Sequence, residues 1–141
     1  MAARRTVAGA ARRGGYVGVA QSAGLRFFGV IDADDITRRE LEVQEVSLVA
    51  FRDLAAVVAP APYVRTHPND DDLAQYVRVV DALAKYGPVL PAPVGTIFRG
   101  EHVIARWLEI HYAALHDALR AVERRGTDGA PYDYIRMQLG A

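Results

Sequence analysis

The sequence predicts an α+β fold, a two-layer sandwich in which a mixed sheet of about five strands carries two helices on one face. Three observations lead there. Apolar residues run almost unbroken through Val89-Leu90-Pro91-Ala92-Pro93-Val94-Gly95-Thr96-Ile97-Phe98, the pattern of a buried strand. Helical periodicity flanks that stretch on both sides, over residues 70–85 and 100–125. Short runs of strand-type residues bounded by turn formers fill most of the remainder.

The bulk numbers set bounds. A chain of 141 residues is one domain's worth and can bury roughly two thirds of its unfolded surface. Seventeen basic residues balance seventeen acidic ones, so no whole-molecule field draws in nucleic acid or anionic lipid. The absence of cysteine removes disulfides, a thiolate nucleophile and zinc–thiolate sites, and it fits a cytoplasmic protein. No apolar run approaches the ~20 residues of a membrane span.

In chain order, residues 1–15 hold Arg4, Arg5, Arg12 and Arg13 without a single acid. Thr6 to Ala11 is too short and too weakly apolar for a secretory signal, so the segment reads as a disordered basic arm. Residues 16–141 then form the single domain. Tyr16 to Ala20 is a strand candidate, and Leu25 to Ile31 a second strand or its continuation. Asp32-Ala33-Asp34-Asp35 ends it; these acids lack the spacing of a calcium loop and read as a solvated turn. Leu41 to Val49 alternates imperfectly and is expected to be a strand. Asp53 to Ala59 is apolar and stopped by Pro60, with a hairpin turn around Phe51-Arg52-Asp53.

Pro60, Pro62 and Pro68 mark a loop to Asn69. Asp70-Asp71-Asp72 then opens a helix whose carboxylates complement the dipole, so no metal is needed to explain them. Its expected buried face is Leu73, Tyr76, Val77, Val80, Leu83 and Ala84, and Lys85, Gly87 and Pro88 stop it. In the following strand Pro91 and Pro93 each remove a backbone donor, which gives a kinked entry and an open edge. Gly95 is placed where a bulge or a close backbone approach is expected. Gly100 to Arg125 is the longest helix, with an apolar stripe of Ile104, Trp107, Leu108, His111, Leu115, Ala118, Leu119 and Val122. Gly126 ends it. Tyr132 to Leu139 alternates as a last strand, with Ile135, Met137 and Leu139 on one face and Tyr132 and Tyr134 on the other. The expected arrangement is ferredoxin-like.

Catalytic patterns are missing from the residues. His111 and His116 are five apart, about 140° around one helix, so they do not form the i, i+4 pair of a helical zinc site. The two serines, Ser22 and Ser47, stand outside any nucleophile elbow. No glycine-rich phosphate loop occurs, and the aromatics do not interleave with a basic stripe. The expectation is no enzyme, no cofactor and no metal.

The order of parts resembles the gas vesicle protein GvpL/GvpF family. The matching pieces are Tyr16 to Val19, Asp53-Leu54-Ala55-Ala56-Val57-Val58, the helix Asp70 to Lys85, Leu90-Pro91 through Gly95-Thr96-Ile97-Phe98, and the helix Glu101 to Arg125. Where the family has Arg-Phe before Gly-Thr, this chain has Pro93-Val94. Full members continue into a second domain, so the likeness is to the family's N-terminal domain. The resemblance implies a non-enzymatic protein of gas vesicle assembly, or a minor component of the vesicle, located in the cytoplasm at the gas vesicle. Its implied partners are the small hydrophobic shell protein and other gas vesicle proteins. Such a protein needs an apolar or strand-edge surface. Tyr132 and Tyr134 on the uncovered sheet face, and the edge at Pro91 and Pro93, are the expected partner-binding residues. A ferredoxin-like ligand-binding or regulatory module is the alternative function.

Overall fold

A computed structural model describes residues 23–63 and 67–125. The basic arm and the two strands expected at Tyr16–Ala20 and Tyr132–Leu139, with Tyr132 and Tyr134, fall outside those residues. The described chain runs β1 (Ala23–Asp32), α1 (Arg38–Gln44), β2 (Ser47–Phe51), β3 (Leu54–Pro62), α2 (Asp70–Ala84), β4 (Val89–Pro91), β5 (Ile97–Phe98), α3 (Glu101–Ile110) and α4 (Tyr112–Arg125).

The five-stranded sheet has the order β2-β3-β1-β4, with β5 also paired to β1. The α+β class is as the sequence predicts, and the described residues supply five strands, the number expected. Every described pairing is antiparallel, where a mixed sheet was expected. With α1 after β1 and α2 after β3, this is the split βαβ topology of ferredoxin-like folds.

Alternation along the strands builds two cores. Leu54, Ala56 and Val58 of β3 face one way, with Phe27 and Val30 of β1, against Ile104, Leu108, Leu115, Leu119 and Val122 of α3 and α4. Ala55, Val57 and Ala59 face the other way, with Phe28 and Ile31, against Leu41 of α1 and Val79 and Leu83 of α2. Both faces of the central strands are therefore buried, which is why β3 reads as a continuous apolar run. The two helices legible in the sequence do not share a face. α2 is paired with α1 on one side, and the C-terminal helical stretch covers the other as a third layer.

Three element assignments change. Leu41 to Val46, expected as strand, belongs mostly to α1. Thr37 caps it by accepting from the Glu40 amide at 3.1 Å, and Glu45 leaves the helix with φ of 59°. The apparent alternation misled because Val43 is on the solvent side. On α2 the buried residues are Val79, Ala82 and Leu83, while Leu73 and Val77 are 48% and 47% exposed. The helix carries apolar residues over a wider arc than its packed face, so periodicity alone set the face about a quarter turn off. The long C-terminal helix divides at His111, whose ψ of 13° departs from helical values. The bend is mild: His111 still donates to Trp107 and Leu115 to His111. Its buried stripe is the expected one.

Helix α2 starts as its sequence dictates. Asn69 Oδ1 accepts from the Asp72 amide at 2.8 Å, and Asp72 Oδ2 accepts from the Asn69 amide at 3.1 Å. This reciprocal capping box satisfies donors that the first turn leaves free.

Candidate functional site

The broken edge comes first, because the sequence places Pro91 and Pro93 there. Residues 89–98 form two short strands on the same edge of β1, separated by an excursion over residues 92–96. The register of β1 explains the break. At Phe27 and Phe28 the ladder to β3 shifts by one residue, so both consecutive residues turn backbone groups toward the excursion. The Phe27 amide donates to Thr96 O at 2.9 Å, and Phe28 O accepts from the Ala92 amide at 2.9 Å. Between them, Pro93 O accepts from the Thr96 amide at 3.3 Å and from its hydroxyl at 2.7 Å, closing a turn. Gly95 sits in that turn with φ of 88°, and a Cβ there would lie 2.8 Å from Pro68 Cγ. The close backbone approach expected at Gly95 is present, in a turn and not a strand. From α2, the Tyr76 hydroxyl donates to Ala92 O at 2.6 Å and holds the excursion down.

The same register says what Pro91 does. Ala92 bonds to β1, so by alternation Leu90 faces β1 while Val89 and Pro91 face outward. The donor that Pro91 lacks would have pointed away from the sheet. Its proline costs the fold no ladder bond and leaves the β4 edge with only an acceptor at that position.

A polar cluster closes the other end of β1. Arg120 of α4 donates from Nη2 to both carboxylate oxygens of Asp32 and from Nη1 to Glu123 at 2.9 Å. Asp32, expected in a solvated turn, is thus held in a partly buried ion pair. Asp53, at the tip of the β2–β3 hairpin, accepts from the Tyr112 hydroxyl and lies 3.5 Å from His116 Nε2. The Tyr112 hydrogen bond holds the Asp53 carboxyl below its usual range, and the same bond raises the Tyr112 phenol. Burial, then the neighbouring Asp32 charge, raises Asp35. Arg52 stacks over the rings of Phe51 and Tyr112, its Cζ 5.5 and 5.3 Å from their centroids. These partners tie the hairpin and β1 to α4. Among the described residues no three His, Asp or Glu side chains converge as a metal site would require. His111 is apart from His116 and meets the Trp107 ring at 5.3 Å.

Sequence reasoning missed this cluster because its members come from residues far apart in the chain; the 88-residue separation of Asp32 and Arg120 leaves no local pattern. It also missed two half-exposed apolar residues of α2, Leu73 and Val77, by assigning them to the core. Pro91 lies on the β4 edge as expected, whereas Pro93 lies in the excursion that follows it, and each is partly buried.

Fold and surfaces first define a class, a ferredoxin-like α+β domain with a third helical layer and a sheet with two end strands. The chain matches the family described as gas vesicle synthesis protein GvpL/GvpF over residues 25–126, from β1 through α4, and it belongs to that family. Its role is accordingly gas vesicle-related, in a family that is generally non-enzymatic. No curated protein and no solved structure matches the chain. Among the described residues no helix is long and apolar enough to cross a membrane.

Proposed function

We propose that this protein serves gas vesicle assembly, or takes a minor structural place in the vesicle, by binding the small hydrophobic shell protein in the cytoplasm. The observation that carries the reading is the family match, which runs over the whole described fold. The chemistry agrees with it: the titratable groups of the polar cluster are engaged with one another across the helix–sheet junction. Pro91, Pro93, Tyr132 and Tyr134 are the proposed partner contacts. Pro91 on the β4 edge and Pro93 in the excursion after it are each partly exposed, and tyrosine is a residue type suited to contact with an apolar partner.

Co-expression with a gas vesicle shell protein, followed by capture of the full chain, tests the reading. The shell protein is expected to co-purify, and Tyr134→Ala is expected to weaken capture about fivefold or more, near 1 kcal/mol. A chain that captures no shell protein at micromolar concentration, yet binds a small metabolite tightly, is the ferredoxin-like ligand-binding module instead.

A further inference from the structure

The two ends of the sheet are chemically different. Phe51 and Leu54 flank the two-residue turn of the β2–β3 hairpin and pair directly, so Ser47, Val49 and Phe51 spend their backbone groups on β3. The Ala33 amide bond to Asp53 O at 2.8 Å confirms this parity on the next ladder. Leu48 and Ala50 therefore point their amides and carbonyls outward, and no described strand lies beyond β2. At β4 the corresponding edge is blunted by Pro91. At β2 the sequence Ser47-Leu48-Val49-Ala50-Phe51 holds no proline, charge or bulge, the devices that protect an edge.

We infer that the outer edge of β2 is a second contact surface, which takes an extended apolar strand of the shell protein by strand addition. The inference rests on the proposed reading of this chain as a shell-protein binder. Main-chain donors and acceptors at Leu48 and Ala50 select an extended segment, and exposed Ala50 leaves room for it. Charge sets the chemistry at the rim. Glu42 and Glu45 are exposed beside the start of β2, while Arg52 at its other end is stacked on Phe51 and Tyr112. An incoming strand flanked by a basic residue at the Glu42–Glu45 end complements that rim. A second copy of this chain does not. Antiparallel pairing about Val49, where Leu48 and Ala50 would exchange bonds, sets Glu45 of one copy beside Asp53 of the other, twice.

The test compares the full-length parent with Ala50→Pro and Ala50→Lys in shell-protein capture, with melting temperature and amide exchange read in parallel. Proline at residue 50 removes an outward donor and no β2–β3 bond; lysine keeps the donor and places a charge on the edge. Both variants are expected to melt with the parent and to capture at least tenfold less shell protein, and the Leu48 and Ala50 amides are expected to become protected only in the complex. Undiminished capture by both variants overturns the β2 edge and leaves the assembly reading standing. Protection of those amides in the free monomer, or a parent dimer that Ala50→Pro dissociates, also overturns it, because the edge is then already occupied. Failure of the parent itself to capture the shell protein removes both the inference and the reading beneath it.

Discussion

Replacing Gly29 with alanine sets two effects of opposite sign against each other. In a strand that tolerates a side chain, Gly→Ala gains about 0.4–1 kcal/mol by restricting the unfolded chain. At Gly29 an added Cβ would stand 2.6 Å from Leu90 O and 3.2 Å from Pro91 Cα. The oxygen contact falls short of ordinary van der Waals separation by roughly 0.7 Å. Both obstacles are backbone, so no rotamer change relieves them; β1 and β4 must move apart. Overpacking of this kind costs about 1–3 kcal/mol, and each ladder bond stretched between the strands adds about 0.5–1.5 kcal/mol. The clash wins, and the net loss is about 2 kcal/mol. For a domain of this size that lowers the melting temperature by roughly 6–10 °C. Thermal and urea unfolding followed by circular dichroism measures it, with an unchanged urea slope. A Gly29→Ala protein as stable as the parent, or more so, would refute the β1–β4 register from which the β4 edge is argued.

Three further outcomes follow from the same contacts. Gly95→Val must place a branched side chain at a φ of 88° against Pro68, and is expected to lose more than about 1 kcal/mol; equal stability would show that the turn relaxes freely. Trp107 is half-buried and its ring meets Phe27 at 5.5 Å and Phe98 at 6.0 Å, so Trp107→Ala is expected to cost about 3 kcal/mol, the low end for a large aromatic. An unchanged denaturation midpoint would mean that α3 packs by another face. Asp53 has a carboxyl depressed below its reference value of 3.8, so its bond with Tyr112 stabilises the fold above about that pH and the contribution is lost as pH falls through the folded value. The stability gap between the parent and Tyr112→Phe is therefore expected to narrow from pH 7 to pH 2; a gap that widens contradicts the assignment.

The parts legible in the sequence were those fixed by local chemistry. The three aspartates announce the start of α2, and the apolar spacing from Ile104 to Val122 announces the buried stripe of α3 and α4. The continuous apolar run of β3 announces a strand covered on both faces, and the two helices legible in the sequence meet that need by lying on opposite sides of the sheet. Helix α1 stayed hidden because a seven-residue helix carries one buried residue, Leu41, and too few turns to show a period. The face of α2 was misjudged because Leu73 and Val77 are as apolar as the residues beneath them. Pro91 was read correctly as an edge residue, but which of its backbone groups faces outward depends on register with β1, and register is a property of two strands. The polar cluster had no signature, since its geometry exists only after β1, the hairpin and α4 have met.

The proposed function of this GvpL/GvpF family member turns on one interaction, its hold on the gas vesicle shell protein. Co-expression of the full chain with that shell protein, capture on the chain, and quantification of what remains bound is the direct measurement. The account predicts retention of the shell protein at micromolar concentration, weakened by Tyr134→Ala in a protein that still folds. A folded, monodisperse chain that retains none of the shell protein would contradict it.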